Sequence, residues 1–132
     1  MKVVKGEEVF LTVPNKVGLL EEICKLISES GVNIRAICAY VVDDKALFRI
    51  VTSDNTKTKE ILEANNYSLE KKEVVIVELP DKVGELYNFA SKIKNAGVDL
   101  NYIYGTTAAP QENAILVFSS DNNEKVLDLL SA

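Results

Sequence analysis

Apolar and polar positions follow two rhythms along the chain, and the pair of rhythms occurs twice. Val9 to Val13 is rich in β-branched and aromatic residues and stops at Pro14, which cannot donate to a sheet ladder. From Val17 to Ser30 the period lengthens, and Leu20, Ile23, Cys24 and Ile27 predict the buried stripe of a helix. Gly31 ends that helix as a left-handed cap. Asn33 to Val42 returns to strand chemistry, Asp43-Asp44-Lys45 is a turn, and Ala46 to Thr52 is the next strand. Asp54 to Asn66 is a second helix with Ile61 and Leu62 facing inward. The pattern then starts again. Val83 to Ala96 is a helix on Leu86, Phe89, Ala90 and Ile93, followed by strands near 99–107 and 114–119. Asp121 and Glu124 are spaced to form a capping box for a last helix.

The recurrence extends to the residues themselves. Val9-Phe10-Leu11-Thr12-Val13-Pro14-Asn15-Lys16-Val17-Gly18 returns 66 residues later as Val75-Ile76-Val77-Glu78-Leu79-Pro80-Asp81-Lys82-Val83-Gly84. The match runs without a gap to Gly31-Val32-Asn33-Ile34 and Gly97-Val98-Asp99-Leu100. The 132 residues therefore divide into two units, 1–67 and 68–132. Each has the order β-α-β-β-α of the split βαβ, ferredoxin-like pattern. The expected class is α+β, with antiparallel strands carrying helices on one face.

A ferredoxin-like unit needs a fourth strand, and only Ser68 to Leu79 lies between the second helix and Pro80. One long strand shared by both units meets that need. Lys2 to Val13 matches Ser68 to Leu79 in position and length. The expectation is that the two long strands pair antiparallel, so that residues 2–6 supply the last strand of the second unit. The alternative is a closing strand from a second chain.

Composition narrows the chemistry. The chain has no His, so it offers no imidazole base, no His-activated nucleophile and no His metal ligand. Cys24 and Cys38 form no CxxC, which excludes zinc and redox motifs of that type. No metal and no cofactor is expected, and the chain is not expected to be an enzyme. The net charge of −5 repels phosphate backbones and anionic membrane surfaces, so neither nucleic acid nor membrane is expected as a partner. The start, Met1-Lys2-Val3-Val4-Lys5, is unlike a signal peptide, and two reduced thiols suit the cytoplasm.

The repeated element is a strand, then Pro-Asn-Lys-Val-Gly-Leu-Leu or Pro-Asp-Lys-Val-Gly-Glu-Leu, then a helix, then Gly-Val-Asn-Ile or Gly-Val-Asp-Leu. With this element the chain resembles the ACT-domain family of small ligand-binding regulatory modules, and most of all its stand-alone tandem members. The resemblance covers both units. It implies a ligand, most often an amino acid, held by the first loop and the start of the second strand. In this chain those positions are Asn15, Lys16, Val17, Gly18, Leu19 and Asn33, and Asp81, Lys82, Val83, Gly84, Glu85, Asp99 and Asn101. It also implies allosteric action on an enzyme of amino-acid metabolism, since relatives are fused to or partner such enzymes.

The residue chemistry agrees. A glycine at a strand-to-helix turn lets a ligand approach the backbone, and the exposed N–H groups of a helix start favour a carboxylate. Asn15, Asn33, Asp81 and Asp99 offer acceptors to an ammonium group. The same residues also serve as ordinary turn residues, and the glycines as packing devices. Tyr102 and Tyr104 are expected to share a face with Leu100, where they stack on a ligand or partner or simply pack in the sheet. Two functions stay open: a sensor of a small amino acid, and a regulatory subunit docking on a biosynthetic enzyme without a metabolite of its own. Strands near 33–42 and 99–107 are left as open edges, and a homodimer through one of them is expected.

Overall fold

The computed structural model describes residues 1–106 and 112–131. Among them are six strands and four helices, in the order β1 (Lys2–Pro14), α1 (Leu19–Glu29), β2 (Ile34–Val42), β3 (Lys45–Thr52), α2 (Asn55–Ala64), β4 (Leu69–Pro80), α3 (Glu85–Asn95), β5 (Leu100–Gly105), β6 (Asn113–Ser120) and α4 (Asn123–Ser131). Thr107, the last residue expected for β5, lies outside the described residues. Two compact units divide the chain: Glu7–Lys72, the N-proximal unit, and Met1–Gly6 with Glu73–Ala132, the C-proximal unit.

The N-proximal unit orders its strands β2-β3-β1-β4. β1 and β3 pair antiparallel with Val9 opposite Ile50, Leu11 opposite Phe48 and Val13 opposite Ala46. One face of this sheet carries the core. Leu11, Phe48 and Ile50 meet Leu19, Ile23 and Ile27 of α1 and Leu62 of α2, all at most 5% exposed. Each such side chain removed from water contributes about 1.5–3 kcal/mol.

The C-proximal unit orders its strands β1-β4-β6-β5. Val75 stands opposite Phe118, Val77 opposite Leu116 and Leu79 opposite Ala114. Phe89 and Ile93 of α3 and Val126 and Leu130 of α4 close this core, and Val3 of β1 packs against it. Lys5 forms ion pairs with Glu73 at 3.5 Å and Glu124 at 3.6 Å.

Three expectations need correction. The buried stripe of α1 is Leu19, Ile23 and Ile27, not one led by Leu20, which is 55% exposed. Leu86 of α3 is likewise 57% exposed, and Ala90 is exposed. An amphipathic helix read from sequence has an uncertain phase by one residue, and packing on the sheet sets it. The last helix is capped by Asn122, whose Oδ1 accepts from Lys125 N–H at 3.1 Å, and not by Asp121. This copies α2, where Asp54 Oδ1 accepts from Lys57 N–H at 3.0 Å. Finally, Leu100 does not share a face with Tyr102 and Tyr104. A register shift between Leu100 and Tyr102 breaks the alternation, so Leu100 joins the core. The two tyrosines are half-buried on the other face, with ring centroids 6.4 Å apart and planes 12° from parallel.

Candidate functional site

The loop from β1 to α1 is built by two constraints. Pro14 ends the ladder, and Asn15 N–H donates to Asp44 O of the β2–β3 turn at 2.8 Å. Gly18 then adopts φ 93° and ψ −1°, a left-handed conformation that a side chain at Cβ would strain. Gly18 is the N-cap of α1, and no side chain caps the helix. Its carbonyl accepts from Glu22 N–H at 3.0 Å, which leaves the first-turn amides directed out of the helix end.

A cavity of about 240 Å³ lies at this helix end. Asn15, Lys16, Gly18, Leu19 and Leu20 form one wall, and Ala39, Tyr40 and Val41 of β2 form another. An uncapped helix N-terminus with Lys16 on the same wall is an anion-receiving arrangement. Val17 is fully exposed and does not line the cavity.

Lys16 also faces a second cavity, of about 300 Å³, with Pro14, Glu22 and Tyr67 on its walls. Lys16 Nζ lies 3.2 Å from Glu22, and the Tyr67 hydroxyl donates to Glu22 at 2.5 Å. The hydrogen bond from Tyr67, followed by that from Lys16, holds the Glu22 carboxyl below its ordinary range. Burial first, and then the Glu22 carboxylate, pushes Tyr67 up to about 12.

The C-proximal loop repeats the backbone and changes the charges. Asp81 N–H donates to Glu112 O at 2.8 Å, and Gly84 caps α3 with φ 89° and no side-chain cap. Lys82 Nζ pairs with Glu85, at 3.4 Å, at the helix start. Val83 is fully exposed like Val17.

Asn33 and Asp99 do not join these loops within their own units. Asn15 is tied to Asp44 before β3, whereas Asn33 N–H donates to Ser53 Oγ after it, at 3.0 Å. Eight strand residues, about 27 Å, separate the two ends. Asp99 N–H likewise donates to Asp121 Oδ1 at 3.2 Å, at the far end of β6 from Asp81, and Asn101 Nδ2 donates to Ser119 Oγ at 3.3 Å. The residues that face the β1–α1 loop are those at the end of β2, Ala39 to Val41. Sequence reasoning missed them and missed Glu22 and Tyr67, although a helix running back along the sheet implies that the following strand ends near the loop.

A family model described as an ACT domain pair matches residues 3–131. The chain belongs to the ACT family. Its fold recurs in protein BT0572 from Bacteroides thetaiotaomicron, with TM-score 0.89, 22% identity, and coverage of 98% of this chain and 88% of that one. It also recurs in the ligand-free regulatory subunit of aspartate kinase from Thermus thermophilus, with TM-score 0.68, 12% identity, and coverage of 98% and 94%. The E. coli aspartokinase III, in complex with lysine and aspartate, matches at TM-score 0.53 and 14% identity over 99% of this chain and 32% of that one. No curated protein matches significantly. Among the described residues of this ACT pair, no helix is long and apolar enough to cross a membrane.

Proposed function

We propose that this ACT pair is a non-catalytic sensor of a small amino acid and that the β1–α1 loop receives the ligand. The observation that supports this most directly is the 240 Å³ cavity at the uncapped start of α1, with Lys16 and Asn15 on its wall. The ligand carboxylate meets the first-turn amides and the Lys16 ammonium, and the Asn15 amide oxygen accepts from the ligand ammonium. Asp81, Lys82, Gly84 and Glu85 are the equivalent loop of the C-proximal unit.

In this reading the chain is a homodimer through the edge of β2, where Ile37, Tyr40, Val41 and Val42 are each at least 38% exposed. Antiparallel pairing of two β2 edges sets Asn33 of one copy beside the Tyr40–Val42 end of the other. That gives Asn33 a place in the site which its own unit does not. The regulated partner is an enzyme of amino-acid metabolism, in keeping with the regulatory subunit of aspartate kinase that shares the fold.

Thermal and calorimetric titration with the common amino acids tests the proposal. A ligand present at about one hundred times its Kd adds about 2.7 kcal/mol of stability. No stabilisation by any of them at millimolar concentration overturns it. Light scattering tests the dimer: twice the chain mass is expected, and the substitution Val41→Lys should halve it.

A further inference from the structure

A cleft of about 430 Å³ runs along the flank of α3 in the C-proximal unit. Its apolar floor is Leu79 and Phe89, which are 5% and 2% exposed. Four polar side chains stand along it: Glu85, Asn88, Ser91 and Lys92. Glu85 and Lys92 are two helical turns apart, about 10 Å of axial rise, with Asn88 and Ser91 in the interval.

The internal repeat shows that this lining is a departure from the common plan. The residues 66 positions earlier are Leu19, Glu22, Lys25 and Leu26. Leu19 belongs to the N-proximal core, and Leu26 packs against it. Their counterparts are Glu85 and Lys92, so two apolar positions have become charges of opposite sign facing one cleft. In the N-proximal unit the matching cavity has its carboxylate, Glu22, bonded to both Lys16 and Tyr67. In the C-proximal unit Glu22 is replaced by Asn88, and the bridge from the loop lysine goes to Glu85 instead.

We infer that this cleft is a second binding site, for an amino acid with an apolar side chain. Opposite charges at the two ends match a zwitterion, whereas a simple anion meets Glu85 and a simple cation meets Lys92. The ligand ammonium takes Glu85, shared with Lys82, and the carboxylate takes Lys92 with the Ser91 hydroxyl. The ligand side chain lies on Leu79 and Phe89. The inference rests on the sensor reading for its ligand class and adds a site that differs from the β1–α1 loop.

Amide NMR of the full chain, titrated with L-leucine and separately with L-aspartate, tests it. Saturable shifts at Asn88, Ser91 and Lys92 with leucine are expected, and weaker ones with aspartate. Lys92→Gln and Ser91→Trp, both at positions outside the core, should weaken leucine binding at least tenfold with the melting curve retained. Unchanged affinity in both variants overturns the second site. Shifts confined to Asn15–Leu20 and Ala39–Val41 also overturn it and leave the sensor reading standing. No shift with either probe overturns the second site, and the calorimetric titration with the common amino acids decides the sensor reading separately.

Discussion

Glu8 and Arg49 form an ion pair, 2.7 Å from carboxylate to guanidinium, inside the N-proximal unit. The Glu8 side chain is fully shielded and that of Arg49 is 11% exposed. The Arg49 guanidinium and the Lys72 ammonium each lie over the Phe10 ring, 4.4 Å from its centroid. In the C-proximal unit the repeat places Val74, Ile76 and Val117 at the corresponding positions, and all three are buried.

The fold thus accepts either chemistry at this place. Breaking the pair with Glu8→Val alone leaves a buried guanidinium and should cost about 3–5 kcal/mol. The double variant Glu8→Val with Arg49→Val copies the other unit and should be as stable as the parent or more so. Denaturant melts of the two variants check this. A double variant as unstable as the single one would contradict it.

The Tyr67–Glu22 bond has a pH signature at both ends of the scale. The Tyr67 pKa is raised to about 12, so its stabilising effect is complete below pH 10 and is lost between pH 10 and 12. The Glu22 pKa is lowered, so its effect is present above the ordinary glutamate range and fades as pH falls below it. Ultraviolet titration of the phenolates should show a late-ionising step from Tyr67. Tyr67→Phe should remove that step and flatten the alkaline loss of stability.

Gly18 and Gly84 have open space where a Cβ would stand, so alanine there costs backbone strain alone. Gly18→Ala and Gly84→Ala should each destabilise by about 1–2 kcal/mol. Asparagine should be tolerated better, since it visits the left-handed region more readily. Equilibrium unfolding measures the difference.

The N-terminal strand invites a truncation. Val3 packs against the C-proximal core, and Lys5 pairs with Glu73 and Glu124. We propose that residues 2–6 serve as that unit's closing strand. Their removal should raise hydrogen exchange at Phe118 and Val126 and leave Phe48 and Ile50 protected. Equal loosening of both cores would count against this division of the chain.

Local chemistry carries much of the architecture. Pro14 and Pro80 mark strand ends, Gly31 and Gly97 take positive φ after their helices, and the two-residue turn at Asp43-Asp44 falls where its composition points. These features depend on neighbours in sequence, which is why they are legible there. The two strand-to-helix loops were legible for the same reason. Their surroundings were not, and neither was the cap of α4: Asp121 has the spacing of a cap, yet Asn122 accepts from Lys125.

The sequence by itself determined a twofold repeat, the order of strands and helices in each half, the glycine-capped loops and the ACT resemblance. All of these rest on spacing within a few residues or on identity at a fixed offset. Tertiary structure alone decided that Leu19 and not Leu20 faces the core. It also decided that Asn33 stands at the far end of β3 from Asn15, and that Glu22 meets Tyr67, 45 residues away. Helix phase and long-range pairing follow from how side chains fill the interior of each unit, and no window of the sequence contains that interior.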